Sequence, residues 1–507
     1  MKPTYSPTFE DFAVLATDQA MVPVRVELLG DLLTPVAAAA RLFPSMRRPF
    51  LLESAEGGES IGRYSYLGGN PFLEVVGTQS GIVTRLPDGE EHERPGDPVA
   101  VLGGLDARYR AASVPGCPPF AGGAVGYIGY DAARWVEDLP DANAGDTPWC
   151  WFGYYDTLIA FDHLRHRVQV VGNAHVTDCQ SSEALREAYE EACRRIDESL
   201  RLLGGADVPM TRLDVVAPDS APPLTASSDL SEPEFSRAVD LVKSHIQAGD
   251  VFQLVLSRAM QCEVSADPVT VYRALRAVNP SPYMYCFDTG EGWVVGSSPE
   301  MLVRVSGDHV ETRPIAGTRR RDPDPVVDEG LARELLADAK ECAEHLMLVD
   351  LGRNDVGRVA RYGEVEVPVF MTVERYSHVM HIVSSVRGRL RDGVTALEAL
   401  FASFPAGTVS GAPKIRAMEI IDGLERSPRG VYAGAVFYSD FAGNMNSCIA
   451  IRTIVMRDGV ATVRAGAGIV MDSNAAREFE ETAEKAAAPL QALAWAESAV
   501  RATEKKQ

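Results

Sequence analysis

The sequence predicts an α+β protein in which antiparallel strands dominate. Residues 430–471 read as an antiparallel meander, because apolar runs are joined by turns at 442–444 and 458–459. Other strand-like runs, among them FLEVV, HRVQVVG, VFQLVLSR and GWVVG, follow without a helix after each one. That order disfavours a doubly wound parallel sheet, in which strands and helices alternate.

Two helices are marked by their ends. Residues 182–203 form a charged helical segment, which Gly204 and the glycine after it can terminate. A second helix begins at Ser231, where the string SEPE carries a capping box between Ser231 and Glu234 with proline in the first turn. Apolar residues then recur at helical spacing as far as Gly249.

Length and composition predict a two-domain globular protein. The chain has 507 residues, which is too many for one ordinary core. Residues 206–229 are rich in proline and polar residues and read as a linker. The prediction is an N-terminal domain at 1–205, a linker at 206–229, a second domain at 230–497 and a flexible tail at 498–507.

Charge and cysteine usage exclude several classes of protein. A formal net charge of −22 argues against general binding to nucleic acid or to anionic membranes. The N-terminus has no apolar core of a signal peptide, and no apolar run reaches membrane-spanning length. Eight scattered cysteines without a CxxC pair indicate reduced thiols, so a cytoplasmic location is expected.

Two acidic helical segments indicate a divalent-cation site. Glu341 and Glu344 lie one turn apart, downstream of the basic run in PIAGTRRR, and Glu478 and Glu481 repeat that spacing near the C-terminus. One glutamate from each segment could share Mg²⁺, which accepts oxygen ligands and usually keeps waters and substrate oxygens. Solvated surface helices are the alternative interpretation of either pair alone.

Further segments can bind an anion, although each has a plain structural alternative. GTVSGAPK at 407–414 offers backbone N–H groups before a helix, or a simple helix cap. Gly466 and Gly468 allow close approach of a ligand to a strand, or form a bend. Arg452 within the apolar run CIAIRTIV needs a partner, either a substrate carboxylate or an internal acid. His381 alone reads more readily as a core histidine.

The motifs PIAGT, EHLMLVDLGRND, HVMHIVS, GTVSGAPK, CIAIRT and RAGAGIV, in this order, resemble the chorismate-utilising enzymes. They are most similar to the large, synthase subunits of anthranilate synthase. FLLES at 50–54, GGAVGYIGYD at 122–131 and NPSPYM at 279–284 extend the resemblance over most of the chain. The resemblance implies packed antiparallel β-sheets with flanking helices.

Two positions bear on which reaction the resemblance implies. Relatives that form 4-amino-4-deoxychorismate carry a nucleophilic lysine where this chain has Ala316, and isochorismate synthases carry a water-activating lysine where it has Gln253. A neutral amide cannot act as a general base, which suits ammonia as the nucleophile. Anthranilate synthesis is therefore favoured over those two reactions. A non-catalytic binding protein on the same fold is the alternative from another class.

The resemblance also implies roles for individual residues. His381, Thr408 and Gln253 would be catalytic, and Glu344 and Glu481 would hold Mg²⁺. Tryptophan, as feedback inhibitor, would bind at Glu53, Ser54, Pro282, Tyr283 and Met284. Chorismate would bind at Gly317, Thr318, Tyr432, Arg452, Gly466, Ala467 and Gly468.

A partner subunit is implied as well. None of the eight cysteines has the context of a glutaminase nucleophile, so a separate glutamine amidotransferase subunit would deliver the ammonia. A heterotetramer or a homodimer is expected. Asn446, where many relatives have an acid, receives no role.

Overall fold

The computed structural model describes residues 3–17, 19–54, 62–140, 147–205, 210–213, 224–376 and 379–504. Two twelve-stranded antiparallel sheets pack face to face, and helices cover their outer surfaces. This architecture confirms the predicted α+β fold with packed antiparallel sheets. No helix within these ranges is long and apolar enough to cross a membrane.

The first sheet has the strand order β1-β10-β9-β3-β2-β13-β14-β23-β24-β12-β11, and a short strand β20 also pairs with β12. Its strands are β1 (Met21–Leu29), β2 (Phe50–Glu53), β3 (Tyr64–Gly68), β9 (Thr157–Asp162), β10 (Arg167–His175), β11 (Ser227–Ser228), β12 (Gln253–Glu263), β13 (Tyr283–Asp288), β14 (Trp293–Ser298), β20 (Gly411–Ala412), β23 (Thr453–Arg457) and β24 (Val460–Ile469).

The second sheet has the order β17-β19-β16-β15-β22-β21-β7-β8-β4-β5-β6, and β18 pairs with the other edge of β19. Its strands are β4 (Leu73–Thr78), β5 (Gly81–Arg85), β6 (Glu91–Arg94), β7 (Gly123–Ile128), β8 (Cys150–Tyr155), β15 (Met301–Ser306), β16 (His309–Thr312), β17 (Ile315–Arg320), β18 (Ala360–Arg375), β19 (Val379–Leu390), β21 (Ala435–Asp440) and β22 (Met445–Ile449).

The helices end where the sequence signals place their ends. The predicted helix at 182–203 is present with those bounds, and the helix after Ser231 has the predicted capping box and stops at Gly249 with φ of 84°. The α-helices are α1 (Phe9–Leu15), α2 (Pro35–Leu42), α3 (Pro98–Arg108), α4 (Ser182–Leu203), α5 (Glu232–Ala248), α6 (Pro268–Val278), α7 (Pro325–Ala337), α8 (Ala339–Gly357), α9 (Ala396–Ser403), α10 (Lys414–Leu424) and α11 (Ala475–Glu504).

The core is organised in layers. Between the sheets lie large aromatic side chains, among them Tyr66 and Phe287 from the first sheet and Trp151 from the second. The outer face of the first sheet packs against α1, α2, α4, α6 and α11, and that of the second against α3, α8 and α9. A smaller cluster joins α5 and α10 to β12 and β24. Each helix therefore buries an apolar stripe against a sheet.

The predicted meander is divided between the two sheets. Strands β21 and β22 pair in the second sheet, whereas β23 and β24 pair in the first. The run CIAIRTIV is thus not one strand, which corrects the prediction, because the chain leaves β22 at Ile449 and enters β23 at Thr453. Arg452 lies in this crossover with φ of 53°, an uncommon conformation for a non-glycine residue.

Both sheets contain strands from before and after the predicted linker, so neither sheet belongs to one predicted domain alone. Whether residues 1–205 and 230–497 fold as separate domains stays a prediction. The predicted tail is helical in this structure as far as Glu504, where α11 ends. All eight cysteines are free thiols.

Candidate active site

A cavity of about 450 Å³ opens between β17, β19, β24 and the crossover that carries Arg452. Seven residues predicted or weighed for the reaction line it: Ala316, Thr318, His381, Thr408, Tyr432, Arg452 and Gly466. Lys485 of α11 and residues 278–282 line it as well. Segments far apart in sequence therefore meet in one pocket, as small-molecule sites require.

His381 is held in a defined tautomer. Its Nδ1 lies 3.0 Å from the carbonyl oxygen of Gly317 and 3.1 Å from the hydroxyl of Thr318. A carbonyl oxygen only accepts hydrogen bonds, so Nδ1 carries the proton of the neutral imidazole and Nε2 carries the lone pair. Gly317 and Thr318, which were predicted to bind substrate, thus also orient the histidine. The core-histidine alternative does not fit, because His381 lines the cavity.

Glu300 is a functional candidate that the sequence reasoning missed. The hydroxyl of Thr408 donates to its carboxylate, with an Oγ1–Oε1 distance of 3.1 Å. Burial raises the pKa of Glu300 to about 7, although that hydrogen bond and Lys485 act in the opposite direction. A carboxyl group that holds its proton near neutral pH can act as a general acid.

Arg452 and Tyr432 face the cavity beside α11. The Arg452 guanidinium donates to the backbone carbonyl of Lys485, and the lysine ammonium donates to the carbonyl of Gly466 at 3.0 Å. The hydrogen-bond partner of Arg452 within the protein is therefore a backbone carbonyl, where the sequence suggested an acidic side chain. A Cβ at Gly466 would lie 2.8 Å from the Tyr432 hydroxyl, so only glycine permits this approach.

Four of the predicted catalytic and substrate-binding residues are absent from the cavity lining: Gly317, Gln253, Ala467 and Gly468. Ala467 is fully buried in the cluster with α5 and α10, because strand alternation turns it away from Gly466 and Gly468. Gln253 lies against Gly468, where an added Cβ would come 2.7 Å from its Nε2 atom. Ala467 can therefore contact the substrate only through its backbone, because its side chain is buried.

The predicted anion-binding groups have internal partners. Arg319 pairs with Asp338 at 2.9 Å, and Arg321 pairs with Asp328 at 2.8 Å. Lys414 of GTVSGAPK is buried and contacts Asp355 at 3.2 Å, and burial lowers the pKa of that lysine. These cations stabilise the fold around the cavity. Anion binding by the backbone N–H groups of GTVSGAPK stays a prediction, whereas the Lys414 ammonium is paired with Asp355.

The two predicted metal ligands lie on two different helices. Glu344 of α8 is 3.7 Å from Lys340, and Glu481 of α11 is 2.8 Å from Lys485. Burial and then the nearby Glu341 raise the pKa of Glu344 against the pull of Lys340. Burial raises the pKa of Glu478 as well, and both Glu481 and Lys340 act on it, which places the acidic faces of α8 and α11 near each other.

Carboxylates are the kind of ligand that Mg²⁺ accepts. Glu341 raises the pKa of Glu344 and Glu481 raises that of Glu478, and a bound cation would relieve this repulsion. Within the described ranges no group of three or more potential metal ligands occurs. Mg²⁺ is commonly bound by one or two carboxylates together with waters and substrate oxygens, so two glutamates are sufficient.

A second cavity of about 550 Å³ lies between the two sheets at β2, β13 and β22. All five residues predicted to bind tryptophan line it: Glu53, Ser54, Pro282, Tyr283 and Met284. Asn446, which received no role, also lines this cavity, and the Tyr283 hydroxyl lies 3.5 Å from its Oδ1 atom.

One segment connects the two cavities. Pro282 lines both of them, and residues 278–281 before it belong to the wall of the first. The carboxylate of Glu53 accepts a hydrogen bond of 2.6 Å from Tyr272 of α6, the helix that leads into this wall. A change at Glu53 can therefore reach the first cavity through one hydrogen bond and the last turns of α6.

A carboxyl group whose pKa is raised by burial and an oriented imidazole lie in one cavity, which is the arrangement expected of an enzyme active site. Residues 81–491 match the family described as chorismate binding enzyme. The chain belongs to that family and acts on chorismate.

The relatives cover nearly the full length. The chain is 45% identical to anthranilate synthase component 1 of Acetivibrio thermocellus, over 96% of this chain and 98% of that protein. It is 45% identical to the protein of the same name from Pseudomonas aeruginosa, over 97% and 99%.

Solved structures agree with this fold. Anthranilate synthase component I from Streptococcus pneumoniae superposes with a TM-score of 0.74 at 37% identity, over 91% of this chain and 98% of that one. The menaquinone-specific isochorismate synthase of Escherichia coli, at 17% identity, has a TM-score of 0.68 over 96% and 98%, and shares the fold.

Proposed function

We propose that this chain is the synthase component of an anthranilate synthase, which converts chorismate and ammonia to anthranilate and pyruvate in tryptophan biosynthesis. The observation that carries the proposal is the cavity that joins His381, Glu300 and Arg452. Ala316 lines the same cavity, so the position offers no nucleophile for the 4-amino reaction. The similarity to anthranilate synthase component 1 proteins supports the same reaction.

In the first step ammonia adds to the ring next to the carboxylate-bearing carbon, and the ring hydroxyl leaves as water. Glu300 is placed to donate the proton that the leaving hydroxyl needs, because its pKa of about 7 keeps a proton available. The product is 2-amino-2-deoxyisochorismate. The additional proton on the attacking nitrogen returns to the carboxylate, which restores the acid. Arg452 and the backbone at Gly466 hold a substrate carboxylate.

In the second step the ring loses a proton and pyruvate, and becomes aromatic. The Nε2 lone pair of His381 accepts the ring proton, since Gly317 and Thr318 fix the proton on Nδ1. The electron pair of the broken C–H bond enters the ring as the C–O bond to the enolpyruvyl group breaks. The enolpyruvyl group leaves as an enolate, and its protonation on carbon then gives pyruvate.

Glu344 and Glu481 would hold Mg²⁺, which supplies Lewis-acid polarisation of the ring carboxylate when it is bound. We expect EDTA to abolish anthranilate formation and MgCl₂ to restore it. Glu344→Gln or Glu481→Gln should weaken Mg²⁺ binding at least about tenfold, measured calorimetrically with chorismate present. Glu480→Gln on the exposed face of α11 is the matched control. Unchanged Mg²⁺ affinity in both test variants would contradict the assignment.

Ammonia would come from a separate glutamine amidotransferase subunit, which agrees with the name component 1 of the relatives. The purified chain should therefore use ammonium salts and not glutamine. A heterotetramer with that subunit or a homodimer, and a cytoplasmic location, stay predictions.

The second cavity is proposed to bind tryptophan as a feedback inhibitor. Ser54→Phe places an aromatic ring in the space that the indole would occupy, so inhibition by tryptophan should weaken about 100-fold while activity without tryptophan is kept. Ser54→Ala, which leaves that space open, should stay inhibited within a few-fold. Inhibition curves of anthranilate formation measure both variants, and full sensitivity of Ser54→Phe would refute the site.

The function itself is tested by incubating the chain with chorismate, Mg²⁺ and ammonium and following anthranilate fluorescence. Anthranilate formation that needs all three supports the proposal. Consumption of chorismate without anthranilate would favour isochorismate or 4-amino-4-deoxychorismate synthesis, and no consumption would favour a binding protein.

A further inference from the structure

A buried cluster of charges lies at the wall of the cavity, and one of its members, Arg464, belongs to the cavity lining. Arg429 donates twice to Glu425, with distances of 2.9 Å from Nε and 2.6 Å from Nη2. Arg464 donates to the same carboxylate at 3.1 Å and to Asp229 at 3.2 Å. The side chains of Arg429, Glu425 and Arg464 are at most 4% exposed. The cluster therefore sits in the protein interior with its charges paired.

Arg429 also binds two walls of the cavity through their backbone. Its Nη1 donates to the carbonyl oxygen of Val409 at 2.6 Å, and its Nη2 donates to that of Val255 at 2.7 Å. Both valines line the cavity, and Val409 follows Thr408, the hydrogen-bond partner of Glu300. The guanidinium also lies 5.7 Å from the ring of Tyr432, a third lining residue.

The N-terminal motif GGAVGYIGYD closes the other side of this arginine. The ring of Tyr130 lies 4.5 Å from the guanidinium carbon of Arg429, within range of a cation–π interaction. The Asp131 carboxylate accepts the N–H of Gly430 at 3.2 Å. The hydroxyl of Tyr130 has no hydrogen-bond partner, so the ring is the part of that side chain that contacts the cluster.

Stability alone does not account for this arrangement. A buried ion pair loses much of its Coulombic gain to desolvation, and well-packed apolar replacements are often as stable. A planar fork with five donors, in contrast, can hold a carboxylate and two carbonyls from different segments at fixed distances, which lysine cannot. That capacity matters where a displacement of about 1 Å costs about 100-fold in rate.

We infer that Arg429 is a positioning residue for the chorismate cavity, holding the Val255 and Val409 walls together under the ring of Tyr130. The inference rests on the proposed function, because its first test measures the kinetics of anthranilate formation. It assigns a role to the N-terminal motif, which contacts Arg429 without lining the cavity.

The test compares the wild-type chain with Arg429→Lys, which keeps the charge and loses the fork. The KM for chorismate should rise about tenfold and kcat should fall about 100-fold. Displaced walls should also release the amino intermediate, so its ratio to anthranilate should increase. A purely structural role would lower only the fraction of active molecules and leave KM and the product ratio unchanged. That outcome would overturn the inference.

If Arg429→Lys does not fold, a second pair of variants tests the role of Arg429. Tyr130→Leu leaves the ion pairs intact and removes the ring, and should raise KM several-fold. Tyr130→Phe removes only the unpartnered hydroxyl and should behave as wild type. Equal KM values in both Tyr130 variants would contradict the inference.

The proposed function can fail separately. A wild-type chain that forms no anthranilate would refute that function. Chorismate affinity, measured by calorimetry for wild type, Arg429→Lys and Tyr130→Leu, would then decide the inference on binding alone. Weaker binding in the variants supports it, and equal binding overturns it.

Discussion

Replacing Glu300 with glutamine should lower kcat for anthranilate formation by about 100-fold or more, which is the usual contribution of a general acid. The amide keeps the shape of the side chain and accepts the Thr408 hydrogen bond, but it cannot donate a proton to the leaving hydroxyl. Steady-state fluorescence of anthranilate gives the rate. A wild-type kcat in Glu300→Gln would show that Glu300 is not the general acid.

The pH profile provides an independent check on Glu300. The acid must be protonated, so kcat/KM of the wild type should fall as pH rises through about 7, and this limb should be absent from the glutamine variant. Because the folded-state pKa is raised above the ordinary value, ionisation of Glu300 destabilises the folded protein progressively as pH rises from the ordinary pKa toward about 7. The glutamine variant should therefore be the more heat-resistant protein at pH 8. A higher melting temperature would show that its lower activity does not result from unfolding.

Replacing His381 with methionine should stop the elimination step while amination continues. The expected result is a loss of anthranilate formation of about 100-fold or more together with accumulation of 2-amino-2-deoxyisochorismate. Methionine fills the space of the imidazole and has no basic nitrogen. Chromatography of the reaction mixture separates the two products.

His309→Met is the matched control, because that histidine is exposed on β16 and remote from the cavity lining. It should form anthranilate at the wild-type rate. Unchanged anthranilate output from His381→Met would rule out the assigned role, and loss of chorismate consumption altogether would place the histidine in the first step instead.

Local signals in the sequence were sufficient for much of the fold. The capping box at Ser231 and the glycines after residue 203 define helix ends through contacts within a few residues, and the structure has those ends. The division of the meander was not predictable in this way. Whether a chain continues a strand or crosses to another sheet at Arg452 depends on the packing of both sheets, which no short pattern encodes.

The site was predictable to the extent that its residues occur in motifs. Thr318, His381, Thr408 and Arg452 lie in such motifs and all line the cavity, as does Tyr432, which the resemblance implied from outside them. Glu300 was missed because a single glutamate after Pro299 carries no local signal, and its raised pKa arises only when the fold buries it.

Arginines show the same limit. Arg452 and Arg464 both stand in apolar runs and both line the cavity, yet the second is paired with Glu425 and Asp229 whereas the first donates to a backbone carbonyl. The partners lie tens of residues away in the chain, so only the three-dimensional arrangement separates a structural arginine from one available to a substrate carboxylate.

The position of the new nitrogen on the ring distinguishes anthranilate synthesis from the other reactions of chorismate. The chain is incubated with chorismate, Mg²⁺ and ¹⁵N-ammonium, and the product is characterised by NMR. We expect a ¹⁵N-amino group next to the ring carboxylate, with one pyruvate released for each anthranilate formed. Nitrogen opposite the carboxylate, or isochorismate without nitrogen, would contradict it.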